Sequence, residues 1–484
     1  MIAPLKTERS LASTVLPPVG RAHMIGVAGA GMQALAMVLA RQGWWLTGSD
    51  QAPENATALA GMGVKVFSGH DAQHVGDDLS LVIHSDAIEP ENVERRQAAR
   101  LRVPEMCYPQ VVASLMAKKR GMAIAGTHGK STTTAMIAQV LTDAAFDPTV
   151  ICGATNLEPA NSPGTLRLAA GEWLVAEACE YRANFLRFAP EIAVVLGVEP
   201  DHFDYYRSFD ELKAVFAQWI AGVRQRGGTQ VLNFDCPTMR EQIATASIGE
   251  DLATFGRSRD AEWRPVHIRH MRGLYRFEIH RAGRFFCEAS LRVPGGHQIT
   301  NALAAAVACH AAGATPEEIS RGLSRFAGLR RRLEHVDCGG QAVLLDDYAH
   351  HPTEIRATLA AVRMMYPGRR ISCIFQPHQV SRTLALLDEF AASLQNADSV
   401  AVTEVFAARE MVNDARRLQV SGHLADRVRS LGARTAAECR SEIVFSQIVR
   451  AARAGDIIVT LGAGDIRKRC DELADRIRID RPQR

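Results

Sequence analysis

The sequence predicts three α/β units in series. Short apolar runs alternate with helical stretches, and this alternation starts afresh twice along the chain. The length of 484 residues agrees, at roughly 150 residues per domain. Short strands separated by crossover helices imply parallel sheets covered on both faces.

Residues 1–18 show no periodicity and end in Pro17-Pro18, which predicts a loose tail. The first unit, 19–119, opens with a strand over His23–Ala28 and a helix over Met32–Gln42. Strands over Trp44–Thr47 and Leu79–His84 follow. The second, 120–331, repeats the grammar with a strand at Met122–Ala125, a helix at Thr132–Asp143 and central strands at Trp173–Ala178 and Ile192–Leu196. Within Leu274–Val293 apolar and polar residues alternate by two around a turn, which predicts a small antiparallel insert. Gln298–Ala312 is Ala-rich and helical, with Gly313 as its stop. The third unit, 332–484, follows the basic cluster Arg330-Arg331-Arg332. Its strands are expected at Ala342–Leu345, Ile371–Phe375, Ser399–Thr403 and Ile457–Leu461.

Composition removes several classes of function. The formal net charge is only +3, which argues against a dedicated nucleic-acid binder. No apolar run reaches the ~18 residues needed to cross a bilayer, and the N-terminus lacks the pattern of a secretory signal. The 10 cysteines are scattered without CxxC spacing, so reduced, buried thiols are expected rather than a metal or disulfide framework.

Two glycine clusters carry the chemistry. Gly29-Ala30-Gly31-Met32 begins a G-x-G-x-x-A pattern between a strand and a helix, and Asp50 lies about 20 residues on, after a second strand. Such a turn binds a nucleotide or pyrophosphate at a helix N-terminus. It does not choose between NAD(P), another nucleotide and a plain tight turn. Gly126-Thr127-His128-Gly129-Lys130-Ser131-Thr132 is a shortened phosphate loop. Its backbone amides cradle phosphates, Lys130 meets the β/γ-phosphates, and the Ser131 or Thr132 hydroxyl ligates Mg²⁺. Glu177, Glu180 and Asp201-His202 lie at the ends of the next strands, where carboxylates converge on such a loop. A simple dehydrogenase has no use for this second cluster.

Together with Glu177-Ala178-Cys179-Glu180, Glu199-Pro200-Asp201-His202 and Gly296–Asn301, the loop resembles the ATP-dependent Mur ligases of peptidoglycan synthesis. Ile25–Gly31, Asp346–Pro352, Gln376–Thr383 and Gly462–Ile466 are similar to the members that add L-alanine first. The resemblance implies a Rossmann-like N-terminal domain for the UDP-sugar, a central P-loop ATPase-like domain and a C-terminal Rossmann-like α/β domain for the amino acid. It implies ATP and Mg²⁺ as cofactors, UDP-N-acetylmuramate and L-alanine as substrates, a cytoplasmic setting, no membrane insertion, and a monomer or weak homodimer. Gly29, Ala30, Gly31, Met32, Asp50, His70, Ser85 and His378 would then meet the UDP-sugar, and His297, Asn301, Arg331 and Arg332 the ATP. Ser131, Glu177 and His202 would hold metal, while Lys130, His202, His351 and Arg382 would act in catalysis, with His351 favoured as amine base. The chain departs from the family at Cys179, Gln298 and Gln379, and at Arg409, where glycine is common. A tripeptide-adding ligase and an NAD-dependent oxidoreductase are the alternatives.

Overall fold

The computed structural model describes residues 15–157, 170–245, 251–339, 342–435, 440–451 and 453–479. Three sheets follow one another along the chain. The first is wholly parallel, in the order Lys65–Ser68, Trp45–Asp50, Arg21–Ile25, Leu81–His84, Glu105–Cys107. Helix Ala30–Arg41 packs on it, and seven of its residues from Met32 to Leu39 are buried. A helix this apolar must be covered on more than one side. Its apolar cluster indeed continues through Leu115 and Met116 to Leu174 and Phe185 of the second unit. Residues 1–14 of the expected tail lie outside the described residues, and Leu16 is buried in this same cluster rather than loose.

The second sheet has nine strands. Six are parallel, in the order Thr149–Ile151, Trp173–Glu177, Arg120–Ala125, Ile192–Val195, Thr229–Asn233, Leu252–Phe255. The antiparallel segment is larger than the sequence pattern predicted. A further strand, Trp263–Met271, joins Leu274–Arg281 and Arg284–Ser290 and connects them to the parallel strands through Phe255 and Trp263. It is therefore an extension of the sheet, not a separate insert. Phe277, Ile279, Cys287 and Ala289 give it a buried face in the same core as helix His297–Ala311. That helix is buried on most sides, which its small alanines permit, and Gly313 follows it at φ +105°.

The third sheet runs Glu334–Val336, Val343–Asp347, Ile457–Leu461, Ile371–Phe375, Ser399–Val402, Arg434–Thr435. Only its first strand is antiparallel. In all three sheets the loops richest in glycine, histidine and arginine leave the carboxyl ends of parallel strands, where ligands gather in open α/β folds. No helix among the described residues is long and apolar enough to cross a membrane.

Candidate active site

The phosphate loop leaves strand Arg120–Ala125 and opens helix Lys130–Asp143. Two of its glycines are required by geometry. Gly126 has φ +127°, and a Cβ there would lie 2.9 Å from the Gly197 carbonyl oxygen. Gly129 has φ +82°, and its Cβ would lie 2.5 Å from Asn301 Oδ1. Thr127 fastens the loop to the next strand end, its hydroxyl accepting from the Glu199 amide at 2.9 Å. Lys130 Nζ pairs with Glu180 Oε2 at 3.0 Å, and that carboxylate is 1% exposed. His202 Nε2 stands 3.5 Å from the other Glu180 oxygen. Burial alone would raise the Glu180 pKa, but the charges of Lys130 and His202 hold it at about 2. Burial disfavours the lysine ammonium too, yet Glu180 keeps Lys130 protonated well above its ordinary range. A fixed cation at the mouth of a phosphate loop suits a terminal phosphoryl group.

Glu177 faces the neighbouring Gly153 amide, which donates to its Oε1 at 2.9 Å, and the Cys152 thiol donates to the same oxygen. The half-buried Ser131 hydroxyl has no partner among the described residues. Mg²⁺ prefers hard oxygen ligands. The Ser131 hydroxyl and the two carboxylates, with the His202 ring beside Glu180, fit that ion; the Cys179 thiol is too soft for it.

Residues of the third unit complete the crevice. His128 of the loop lies 3.3 Å from Glu354 and 3.4 Å from Glu199. Burial opposes the charged ring, but these two carboxylates raise its pKa to about 9. Arg382 donates to Asp201 Oδ1 from Nε at 2.9 Å and from Nη2 at 2.7 Å, with both side chains buried. His351 caps helix Pro352–Met365, its Nδ1 accepting from the Thr353 amide at 3.3 Å. Its Nε2 faces the Pro200 carbonyl oxygen, also at 3.3 Å. In this arrangement His351 caps its helix and stands at the Pro200 end of the crevice.

The glycine turn of the first unit faces a separate cavity of about 390 Å³. Gly29, Ala30, Gly31, Met32 and Ser85 line it from one side, and His378 and Arg409 from the third unit. Burial holds the His378 pKa at about 3, so the ring is neutral. Asp50 and His70, expected here, are engaged elsewhere. The Asp50 carboxylate accepts from the amides of Ala28 at 2.9 Å and Ala52 at 3.0 Å, shaping the turn. His70 Nδ1 contacts Ser49 and the buried Glu94. Arg331 donates to the Gly462 carbonyl of the third unit at 2.7 Å, while Arg332 stacks over Tyr348. Asn301 donates to Gln298 and abuts Gly129, and His297 sits at the start of its helix. Sequence reasoning gave no role to the pairing of Lys130 with Glu180 or to Glu354. Glu354 lies 226 residues from the loop it touches, and no local signal links them.

A phosphate loop in a middle domain, with a nucleotide-type turn before it and a third α/β domain closing over it, defines a ligase that activates an acid with ATP. The chain belongs to the Mur ligase family. Residues 21–120 match the Mur ligase family catalytic domain, 124–309 the Mur ligase middle domain, and 331–464 the Mur ligase glutamate ligase domain. The chain is 36% identical over 470 residues to the UDP-N-acetylmuramate–L-alanine ligase of Salinibacter ruber, covering 96% of this chain and 97% of that one. The crystal structure of the UDP-N-acetylmuramate–alanine ligase of Thermotoga maritima superimposes with a TM-score of 0.80 at 26% identity, over 95% of this chain and all of that one. A murein peptide ligase from Psychrobacter arcticus shares the fold, with a TM-score of 0.70 at 22% identity over 94% and 98% of the two chains.

Proposed function

We propose that this ligase joins L-alanine to the lactyl carboxylate of UDP-N-acetylmuramate, with ATP converted to ADP and phosphate. The observation that carries this reading is the link between two sites made by the third domain: Arg382 docks on Asp201, next to the His202 that stands with Lys130 on Glu180, and also contacts His378, which lines the glycine-turn cavity. Full-length identity to alanine-adding ligases favours alanine over a tripeptide. The domains are cut near residues 119 and 331, with 19–119 holding the UDP-sugar, 120–331 the ATP and 332–484 the amino acid.

A carboxylate is a poor acyl donor because oxide is its leaving group. Its oxygen therefore attacks the γ-phosphorus and ADP departs. The alanine nitrogen, as the free amine, then attacks the acyl carbon, inorganic phosphate departs, and the proton lost from nitrogen is taken up by that phosphate or by solvent. Catalysis of the first step is mostly positioning and charge stabilisation. Lys130 holds the transferred phosphoryl group, and the Gly126–Thr132 amides hold the rest of the chain. Mg²⁺, held by Ser131, Glu177 and His202 with Glu180 adjacent, would neutralise phosphate charge. Closure of the third domain through Arg382 and Glu354 excludes water that would hydrolyse the acyl phosphate. The test is ADP release with each substrate omitted in turn, and with the tripeptide in place of L-alanine. Release should require all three substrates; turnover with the tripeptide alone would overturn the assignment.

A further inference from the structure

We propose that Arg409 is the third domain's contact to the diphosphate of the UDP-sugar on the Gly29–Met32 turn. This inference rests on the function proposed above.

The cavity beside the turn is lined by Gly29, Ala30, Gly31, Met32, Ser85, Asp86, Ala87, Tyr108, His378, Ala408 and Arg409. The first domain brings no lysine or arginine to it, so its turn offers a diphosphate only backbone amides and a helix N-terminus. His378 is neutral. Arg409 is thus the cation among the lining residues. Its guanidinium lies 4.2 Å from the centre of the Tyr181 ring, which supports its plane by a cation–π contact. It forms no hydrogen bond or ion pair among the described residues, so its N–H donors stay open to a ligand. A planar fork of donors matches phosphate oxygens.

The backbone holds the arginine in place. Ala408 has φ +53°, a conformation uncommon for a residue with a side chain, and such strain persists only where surroundings enforce it. Glu410 accepts from the amides of Val380 and Ser381, at the start of the short helix that carries Arg382. The Phe406 amide donates to the Pro377 carbonyl at 2.8 Å. Arg409 therefore travels with Arg382, and the docking of Arg382 on Asp201 brings Arg409 over the turn. The third domain would in this way sense whether the first has its substrate.

The experiment compares wild type with Arg409→Gly, Arg409→Ala and Arg409→Lys, using ADP release and inhibition by UDP. Loss of a charge-assisted contact should raise the KM for the UDP-sugar by roughly tenfold or more. The inhibition constant of UDP should rise by a similar factor, with the KM values for ATP and alanine nearly unchanged. Arg409→Lys should recover part of the loss. Unaltered UDP inhibition would overturn the diphosphate assignment, whether or not the KM for the UDP-sugar moves. So would a fall in kcat alone. A thermal unfolding midpoint matching wild type separates these results from misfolding. A wild type that releases no ADP in response to the UDP-sugar would instead sink the proposed function, and this outcome is read before any variant is made.

Discussion

The glycine turn of the first domain and the phosphate loop of the second share one grammar: a parallel strand, a glycine-rich bend and a helix N-terminus. They differ in what surrounds them. The phosphate loop is crowded. Its glycines abut Gly197 and Asn301, Lys130 pairs with Glu180, and the rings of His202 and His128 stand beside Glu180 and Glu199. The glycine turn is open, and its acidic residue Asp50 is bound to backbone amides. A helix N-terminus supplies affinity for an anion in both places. Among the described residues, only the second joins a lysine to a buried carboxylate at the loop itself, as the transfer of a phosphoryl group requires.

The largest effect should come from removing that cation. Lys130→Ala is expected to cut ADP formation ~100-fold or more while UDP-sugar binding, read by calorimetry, stays close to wild type. Because Glu180 is then left buried without its counter-ion, Lys130→Met with Glu180→Gln separates lost chemistry from lost fold. A normal rate in either variant would erase the distinction between the two bends.

Crowding gives the next contrast. Gly129→Ala forces a Cβ against Asn301 from a left-handed backbone, at about 1–2 kcal/mol for the backbone alone. Gly29→Ala has φ −63° and its nearest neighbour at 3.6 Å, so it should fall within about 0.5 kcal/mol of wild type. Chemical denaturation measures both. Asp50→Ala should follow, weakening the UDP-sugar by about tenfold through the freed amides and ATP far less. Equal losses would argue for a single site.

The smallest expected effect is on pH. The folded pKa of His128, about 9, lies above its ordinary 6.5. Its contribution is therefore complete below about pH 6.5 and lost as pH rises through 9. The thermal midpoint of the nucleotide-free protein should fall over that window, and His128→Gln should flatten the fall.

What the sequence revealed follows from burial. Ile371–Phe375 and Ile457–Leu461 are central strands, apolar on both faces, and their predicted bounds match those observed. Lys65–Ser68 and Glu105–Cys107 lie at sheet edges, are short and carry polar residues, so no apolar run marks them. Trp263–Met271 was hidden likewise, because most of its length is exposed. In the site, the loop and its strand-end carboxylates were legible because their chemistry needs fixed spacing. The pairings of Glu180 with Lys130 and of Asp201 with Arg382, and any part for Glu354, were not. Each takes its role from a contact made only when distant segments fold together, and Arg382 reaches across 181 residues to do so.

That reach has a consequence for turnover. The Arg382 guanidinium turns its Nε and Nη2 edge to an internal carboxylate and a third donor to His378, which leaves two of its five for an arriving phosphate. If Arg382 is to offer that paired Nε and Nη2 edge to the acyl phosphate, it must first let go of Asp201. The lobes would then be bolted together when empty and re-fastened through the reaction intermediate when loaded, with one arginine changing hands in every cycle.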